Sequence, residues 1–205
     1  AHHRYLHSFP PRRSSDLVRF DDSDVLNLLN GQVVLITGAG GSIGSELSRQ
    51  VAQYKPKQLI LFDIYENSIY DIQIELHKKH ANDVDIVVLI GSVREPLRLK
   101  EVFQTFRPDC VFHAAAHKHV PLMQGSPFEA IANNSFGTYN VAKAAGESGA
   151  KRMVLISTDK AVNPTNIMGA SKRLAEFALL NAQKCYSQTE YMAVRFWNVL
   201  VSKGI

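Results

Sequence analysis

The sequence predicts an α/β fold, a doubly wound parallel sheet covered by helices on both faces. Three observations predict it. From Gln32 onward, short apolar runs alternate with stretches of helical spacing. A glycine-rich turn joins the first run to the first helix. Each later run ends in small or polar residues, as expected where ligands sit at the carboxyl edge of such a sheet. The 205 residues, 45% hydrophobic and 20% charged, are enough for one domain with a sizeable core.

The elements follow in order. Val33 to Ile36 is a buried strand and Ser45 to Tyr54 a helix. Leu59 to Phe62 is a second strand, with a helix over Asn67 to His80. Ile86 to Leu89 is a third strand, and the helix from Leu97 stops at Phe106, just before Pro108. Val111 to His113 is a fourth strand. One long helix is expected over Ala130 to Ser148, closed by Gly149. Met153 to Ile156 is a fifth strand, Ile167 to Gln183 a helix and Tyr191 to Phe196 a sixth strand. Right-handed crossovers make the doubly wound arrangement the economical topology.

The first 16 residues show neither strand nor helix period and are expected to be a disordered or appended segment, with residues 17–31 a connector and 32–205 the domain proper. His2, His3 and His7 have no Cys or carboxylate nearby to complete a site, so no metal is expected. Much of the net charge of +4 comes from Arg4, Arg12, Arg13 and Arg19, outside the patterned body. With no interleaved basic and aromatic face, nucleic acid is not an expected partner. Two cysteines, Cys110 and Cys185, do not make a disulfide framework and fit a reducing, cytoplasmic setting. No run of about 18 apolar residues is present to cross a membrane.

The turn Thr37-Gly38-Ala39-Gly40-Gly41-Ser42-Ile43-Gly44 leaves the first strand and opens the first helix. Gly38 permits a tight turn, Gly41 lets backbone approach a pyrophosphate, and Gly44 lets helix pack on strand, which is the Rossmann-like pattern. Ser42 and Ile43 then offer first-turn N–H groups to the phosphates. Asp63, roughly 20 residues further on, closes the second strand where an acid binds a ribose 2′-hydroxyl; with no cation close behind it, NAD is expected over NADP. Ser92 and Val93 border the adenine, and Ala114, Ala115 and Ala116 leave room for the cofactor backbone.

The fifth strand delivers Ser157-Thr158-Asp159-Lys160 to the ligand edge, followed by Met168-Gly169-Ala170-Ser171-Lys172 at the start of a helix. Together with His113-Ala114-Ala115-Ala116-His117-Lys118-His119-Val120-Pro121 and Asn133-Asn134-Ser135-Phe136-Gly137-Thr138, these stretches are specific. The sequence resembles the polysaccharide-biosynthesis UDP-N-acetylglucosamine 4,6-dehydratases of the extended short-chain dehydrogenase superfamily, from about Leu17 to Ile205. In the wider superfamily a Tyr-x-x-x-Lys pair occupies the place of Met168 and Lys172; the Met variant belongs to this family.

The resemblance implies oxidation at sugar C4, loss of the C5 proton and of water from C6, and return of hydride to C6. It implies Lys160 as the C5 base, Asp159 as the acid for the leaving hydroxyl, Thr158 as donor to the C4 oxygen and Lys172 as orienter of the nicotinamide ribose. Met168 cannot titrate, which leaves the base for the C4 hydroxyl unassigned. His117, Lys118, Asn134, Arg195 and Asn198 are the expected contacts to a UDP-sugar substrate. The family reads glycine where this chain has Trp197 and Val201, beside the substrate diphosphate. Its members continue past Ile205 into a substrate subdomain, expected to be truncated here. Long members place a membrane region before the segment resembling Leu17 to Asn30; this implies an anchored parent with the domain on the cytoplasmic side and no membrane contact from this chain. A homo-oligomer is expected. Two other readings stay open: a nucleotide-sugar 4-epimerase, which needs no C5 base, and an inactive dinucleotide-binding fragment.

Overall fold

The computed structural model describes residues 23–80 and 82–196. The expectations for residues 1–16, and for Trp197, Asn198 and Val201, lie outside the described residues. The six parallel strands are β1 Val33–Thr37, β2 Gln58–Asp63, β3 Asp85–Ile90, β4 Cys110–His113, β5 Arg152–Thr158 and β6 Glu190–Phe196, in the spatial order β3-β2-β1-β4-β5-β6. The order reverses between β1 and β4. At such a switch point the outgoing loops diverge and leave a crevice.

The helices are α1 Ser23–Leu29, α2 Ser42–Gln53, α3 Glu66–His80, α4 Pro96–Phe106, α5 Val120–Gly125, α6 Pro127–Ala130, α7 Gly137–Ser148 and α8 Ile167–Cys185. Alternation along the strands feeds two cores. Val34, Ile36, Leu59 and Leu61 face α2 and α3 with Val51, Ala52, Ile69, Ile72 and Leu76. Leu35, Ile60 and Leu155 face the opposite layer with Leu99, Val102, Phe103, Val141, Ala145 and Leu179. Among the described residues no helix is long and apolar enough to cross a membrane.

The long helix expected over Ala130 to Ser148 is a correction. Residues Ile131–Phe136 form a π-helical stretch between α6 and α7. Its wide turn carries Asn134 and Ser135 inward, where both are buried. The sequence also passed over α5, a short helix with proline in its first turn, and α1, within the expected connector.

Candidate active site

A cleft lies at the switch point. It is lined by Gly38, Gly40, Gly41, Asp63, Ser92, Val93, Ala114, Ala115, Ala116, His117 and Asn133, with Ile64, Tyr65 and Ser68 at the β2 side. The glycine turn, the acid that ends β2 and the small residues after β3 and β4 therefore share one cleft, whereas Ser42, Ile43 and Gly44 are not among its lining. Gly40, Tyr65, Ser68 and Asn133 were not singled out from sequence.

The glycines divide their labour. Gly38 has φ +70°, and a Cβ there would stand 2.5 Å from the Ala115 nitrogen. A Cβ on Gly44 would stand 1.9 Å from the Gly38 carbonyl oxygen. These two are fixed by the protein's own backbone. A Cβ on Gly41 would meet only the Gly38 oxygen, at 3.2 Å, a tight contact but far milder than those at Gly38 and Gly44. Gly41 caps α2 without any side-chain hydrogen bond, which leaves the N–H groups of Ser42 and Ile43 at a positive helix end for an anion. These observations fit a dinucleotide pyrophosphate.

Asp63 is buried, 7% exposed. Its carboxylate accepts hydrogen bonds from Gly40 N–H at 2.8 Å and from Tyr65 N–H at 2.9 Å. The same side chain that faces the cleft thus ties the glycine turn to the end of β2.

Beneath the cleft runs a polar chain. His113 is fully buried, with Nδ1 2.6 Å from Thr37 Oγ1 and Nε2 2.9 Å from Thr138 Oγ1. Thr138 donates its hydroxyl to the Asn134 carbonyl at 2.6 Å. That assigns the proton on the ring to Nε2 and makes Thr37 the donor to Nδ1. Burial, with the charge of Lys172 added, pushes His113 down to about 3, so the ring is neutral.

Asn134 was expected to touch substrate, and in the structure its amide is engaged within the protein. The residue is fully buried. Its Oδ1 accepts from His117 N–H at 2.8 Å, while its Nδ2 donates to the His117 carbonyl at 3.0 Å and to Ser171 Oγ at 3.0 Å. With the amide engaged on the protein's own loop, Asn134 shapes the wall that presents His117. Lys118 is exposed on the same loop.

At the carboxyl end of β5, Thr158 donates its hydroxyl to Asp159 Oδ1 at 2.8 Å, and Lys160 Nζ stands 3.6 Å from the same oxygen. The Thr158 hydrogen bond, with Lys160 adding to it, holds the Asp159 carboxyl below the usual carboxylate range. Asn166 caps α8 by accepting from Gly169 N–H at 2.8 Å. One turn on, Lys172 is 5% exposed and donates to the Ile156 carbonyl at 2.7 Å. Burial pushes its ammonium down to about 8 against the opposing pull of Glu176.

Met168 and Arg195 were also expected at the site. Met168 is 5% exposed and packs with Met123 and Ala130 in a small apolar core. Arg195, expected on the substrate, is held by Glu176: Nε to Oε1 at 2.8 Å and Nη2 to Oε2 at 2.7 Å. Glu176 itself went unnoticed in the sequence. A lone acid on a helix face otherwise filled by Ala175, Leu179 and Ala182 was the available signal.

The family model described as polysaccharide biosynthesis protein matches residues 34–205. The chain belongs to that family. Among its relatives is the capsular polysaccharide biosynthesis protein CapD of Staphylococcus aureus, 49% identical over 92% of this chain and 32% of that protein. The inverting UDP-N-acetylglucosamine 4,6-dehydratase of Campylobacter jejuni is 34% identical over 86% of this chain and 52% of the enzyme. Proteins named UDP-glucose 4-epimerase also match. Among solved structures, Pen from Bacillus thuringiensis superposes with a TM-score of 0.79 at 36% identity, covering 86% of this chain and 53% of Pen. This member of the polysaccharide biosynthesis family thus spans about a third to a half of the length of the curated relatives it matches.

Proposed function

We propose that this chain is the dinucleotide-binding and proton-handling core of a nucleotide-sugar 4,6-dehydratase that uses NAD and takes UDP-N-acetylglucosamine. The observation that carries the reading is the Thr158-Asp159-Lys160 constellation at the ligand edge, next to a helix whose Tyr position is a buried methionine. Adjacent acid and base at one strand end suit removal of a proton and a hydroxyl from neighbouring carbons. An epimerase has no need of them.

Gly38, Gly41, Ser42, Ile43 and Gly44 would hold the pyrophosphate, Asp63 the adenosine ribose, and Lys172 the nicotinamide ribose. When bound, the nicotinamide supplies the redox chemistry, accepting hydride from C4 and returning it at C6. The protein's residues handle protons. Lys160 would take the C5 proton and later return a proton to C5, while Asp159 would pass the proton released from the C4 hydroxyl to the departing C6 hydroxyl.

The test uses a protein of family length with glycine at positions 197 and 201. Lys160→Ala should stop elimination yet permit oxidation at C4, and reduced cofactor should accumulate on mixing with UDP-N-acetylglucosamine. In deuterium oxide the active enzyme should place deuterium at C5. Retained turnover in Lys160→Ala, or a product with C5 hydrogen kept and only C4 inverted, excludes the dehydratase in favour of an epimerase. We also propose a homo-oligomer: Leu174, Phe177 and Leu180 leave apolar surface exposed along α8, which a second copy would cover. A monomer in sedimentation at micromolar concentration would contradict it.

A further inference from the structure

Glu176 has no place in the chemistry above, yet its carboxylate accepts four hydrogen bonds while its side chain is 6% exposed. Oε1 accepts from Ser157 Oγ at 2.8 Å and from Arg195 Nε at 2.8 Å; Oε2 accepts from Arg195 Nη2 at 2.7 Å and from Arg173 Nη1 at 3.0 Å. Ser157 and Arg195 are register partners across β5 and β6, so one carboxylate bridges the ends of both strands. Helix α8 therefore grips β5 twice, through Lys172 on the Ile156 carbonyl and through Glu176 on the Ser157 hydroxyl. The next residues of the chain are Thr158, Asp159 and Lys160.

We propose that Glu176 is a positioning residue of this site: it fixes the proton-handling end of β5 against α8 and supplies the negative charge that Lys172 faces. A buried ion cluster is poor evidence of stability by itself, because desolvation offsets much of the attraction and apolar side chains could fill the space. What an apolar residue could not supply is charge. Glu176 lies one helical turn beyond Lys172, on the same face, and it opposes the effect of burial on that lysine.

Among the described residues, the other titratable groups near α8 are few. Lys172 and the neutral His113 of β4 interact. The end of β5 brings Asp159 and Lys160, and β6 brings Arg195. Of the remaining groups on packed elements, Arg152 pairs with Glu190, Glu129 of α6 with Arg94, and Lys143 of α7 with Glu147. Tyr139 of α7 is partly exposed and Tyr191 of β6 donates to the Ala142 carbonyl. Among the described residues Glu176 is thus the anion that acts on Lys172, against the larger effect of burial.

The test reads Lys172 without any ligand, because the inference rests on the proposed function only for its consequence on the cofactor. The 205-residue chain, carrying 13C at lysine Cε, is titrated by NMR, with Lys172 assigned from Lys172→Arg. The wild-type midpoint is expected near 8. Glu176→Gln should lower it by about one unit, a tenfold loss of ammonium at a given pH above the midpoint. Glu176→Asp, which keeps the charge, should restore most of the shift. Arg195→Gln should raise the midpoint, since the carboxylate then has one competing cation fewer. A merely structural carboxylate would change the melting temperature and leave the midpoints alone; unchanged midpoints in folded Glu176→Gln and Arg195→Gln overturn the proposal. Should Glu176→Gln not fold, Arg195→Gln decides by the same criterion. NAD affinity, measured by calorimetry across the same pH range, should weaken through the wild-type midpoint and through the lowered one in Glu176→Gln. A wild-type chain that binds no NAD refutes the cofactor reading, and the titration result stands separately.

Discussion

Gly40 and Asp63 are joined by a 2.8 Å hydrogen bond from the Gly40 N–H to the Asp63 carboxylate, so the side chain that faces the cleft also holds the glycine turn. Asp63→Asn keeps an acceptor oxygen for the turn but loses the charge. NAD affinity should fall by on the order of tenfold, the scale of a charged hydrogen bond, and NADP affinity by less, because a repulsive anion has gone. Calorimetric titration with both cofactors checks it. Wild-type affinity for NADP equal to or above that for NAD would sink the assignment of Asp63.

Gly44→Ala and Gly41→Ala should separate fold from function. The first places a Cβ on the Gly38 carbonyl and should lower the melting temperature by on the order of 10 °C. The second has an extended backbone, φ −72°, that alanine accepts. It should shift melting by no more than about 3 °C while weakening NAD at least about tenfold. Equal loss of stability in the two variants contradicts the division.

Asn134→Ala removes the partners of both the His117 N–H and its carbonyl. Leaving such groups unmet in a part-buried loop costs about 2 kcal/mol. Thermal denaturation should show the loss, and NAD affinity should drop with it because the loop is the cleft wall. An unchanged melting temperature would mean that water replaces the amide.

His113 predicts how stability depends on pH. Its folded value of about 3 lies below the 6.5 of the free side chain, so between those values the unfolded chain binds the extra proton. Its contribution is complete above pH 6.5 and is lost as pH falls towards 3, by about 1.4 kcal/mol per unit. Glu176, held at about 2 from 4.5 by Arg195, Ser157 and Arg173 against the upward push of burial, acts in the same direction but lower down. Between pH 6.5 and 5 the slope therefore belongs largely to His113. His113→Asn should be less stable at neutral pH and should flatten the slope in denaturant titrations. A slope the variant retains in full would assign the acid sensitivity elsewhere.

The sheet was legible because buried parallel strands are near-continuous apolar runs; the β1, β2 and β3 expectations each fall within a residue or two of the observed bounds. The glycine turn was legible because only glycine serves at Gly38 and Gly44. The π-helical stretch was not. One wide turn scarcely alters apolar spacing, and the only trace was a polar Asn133-Asn134 pair inside a helical pattern. For Arg195 and Asn134 the sequence marks a polar residue at the ligand edge but does not say that a partner within the chain engages it. For Asn134 that partner is a backbone loop, and for Arg195 it is Glu176, 19 positions earlier.

The contact between Gly38 and Ala115 has a kinetic meaning. Backbone lies on backbone there, with no side chain between to yield, and Ala114 N–H donates to the Thr37 carbonyl at 2.9 Å just behind it. Two loops that diverge from neighbouring strands are thereby interlocked, so the groove is shaped when the chain folds and its floor has little freedom left to surrender to a ligand. A ligand would meet that floor already set, and its way in and out would lie past Ile64 and Tyr65, both well exposed at the rim.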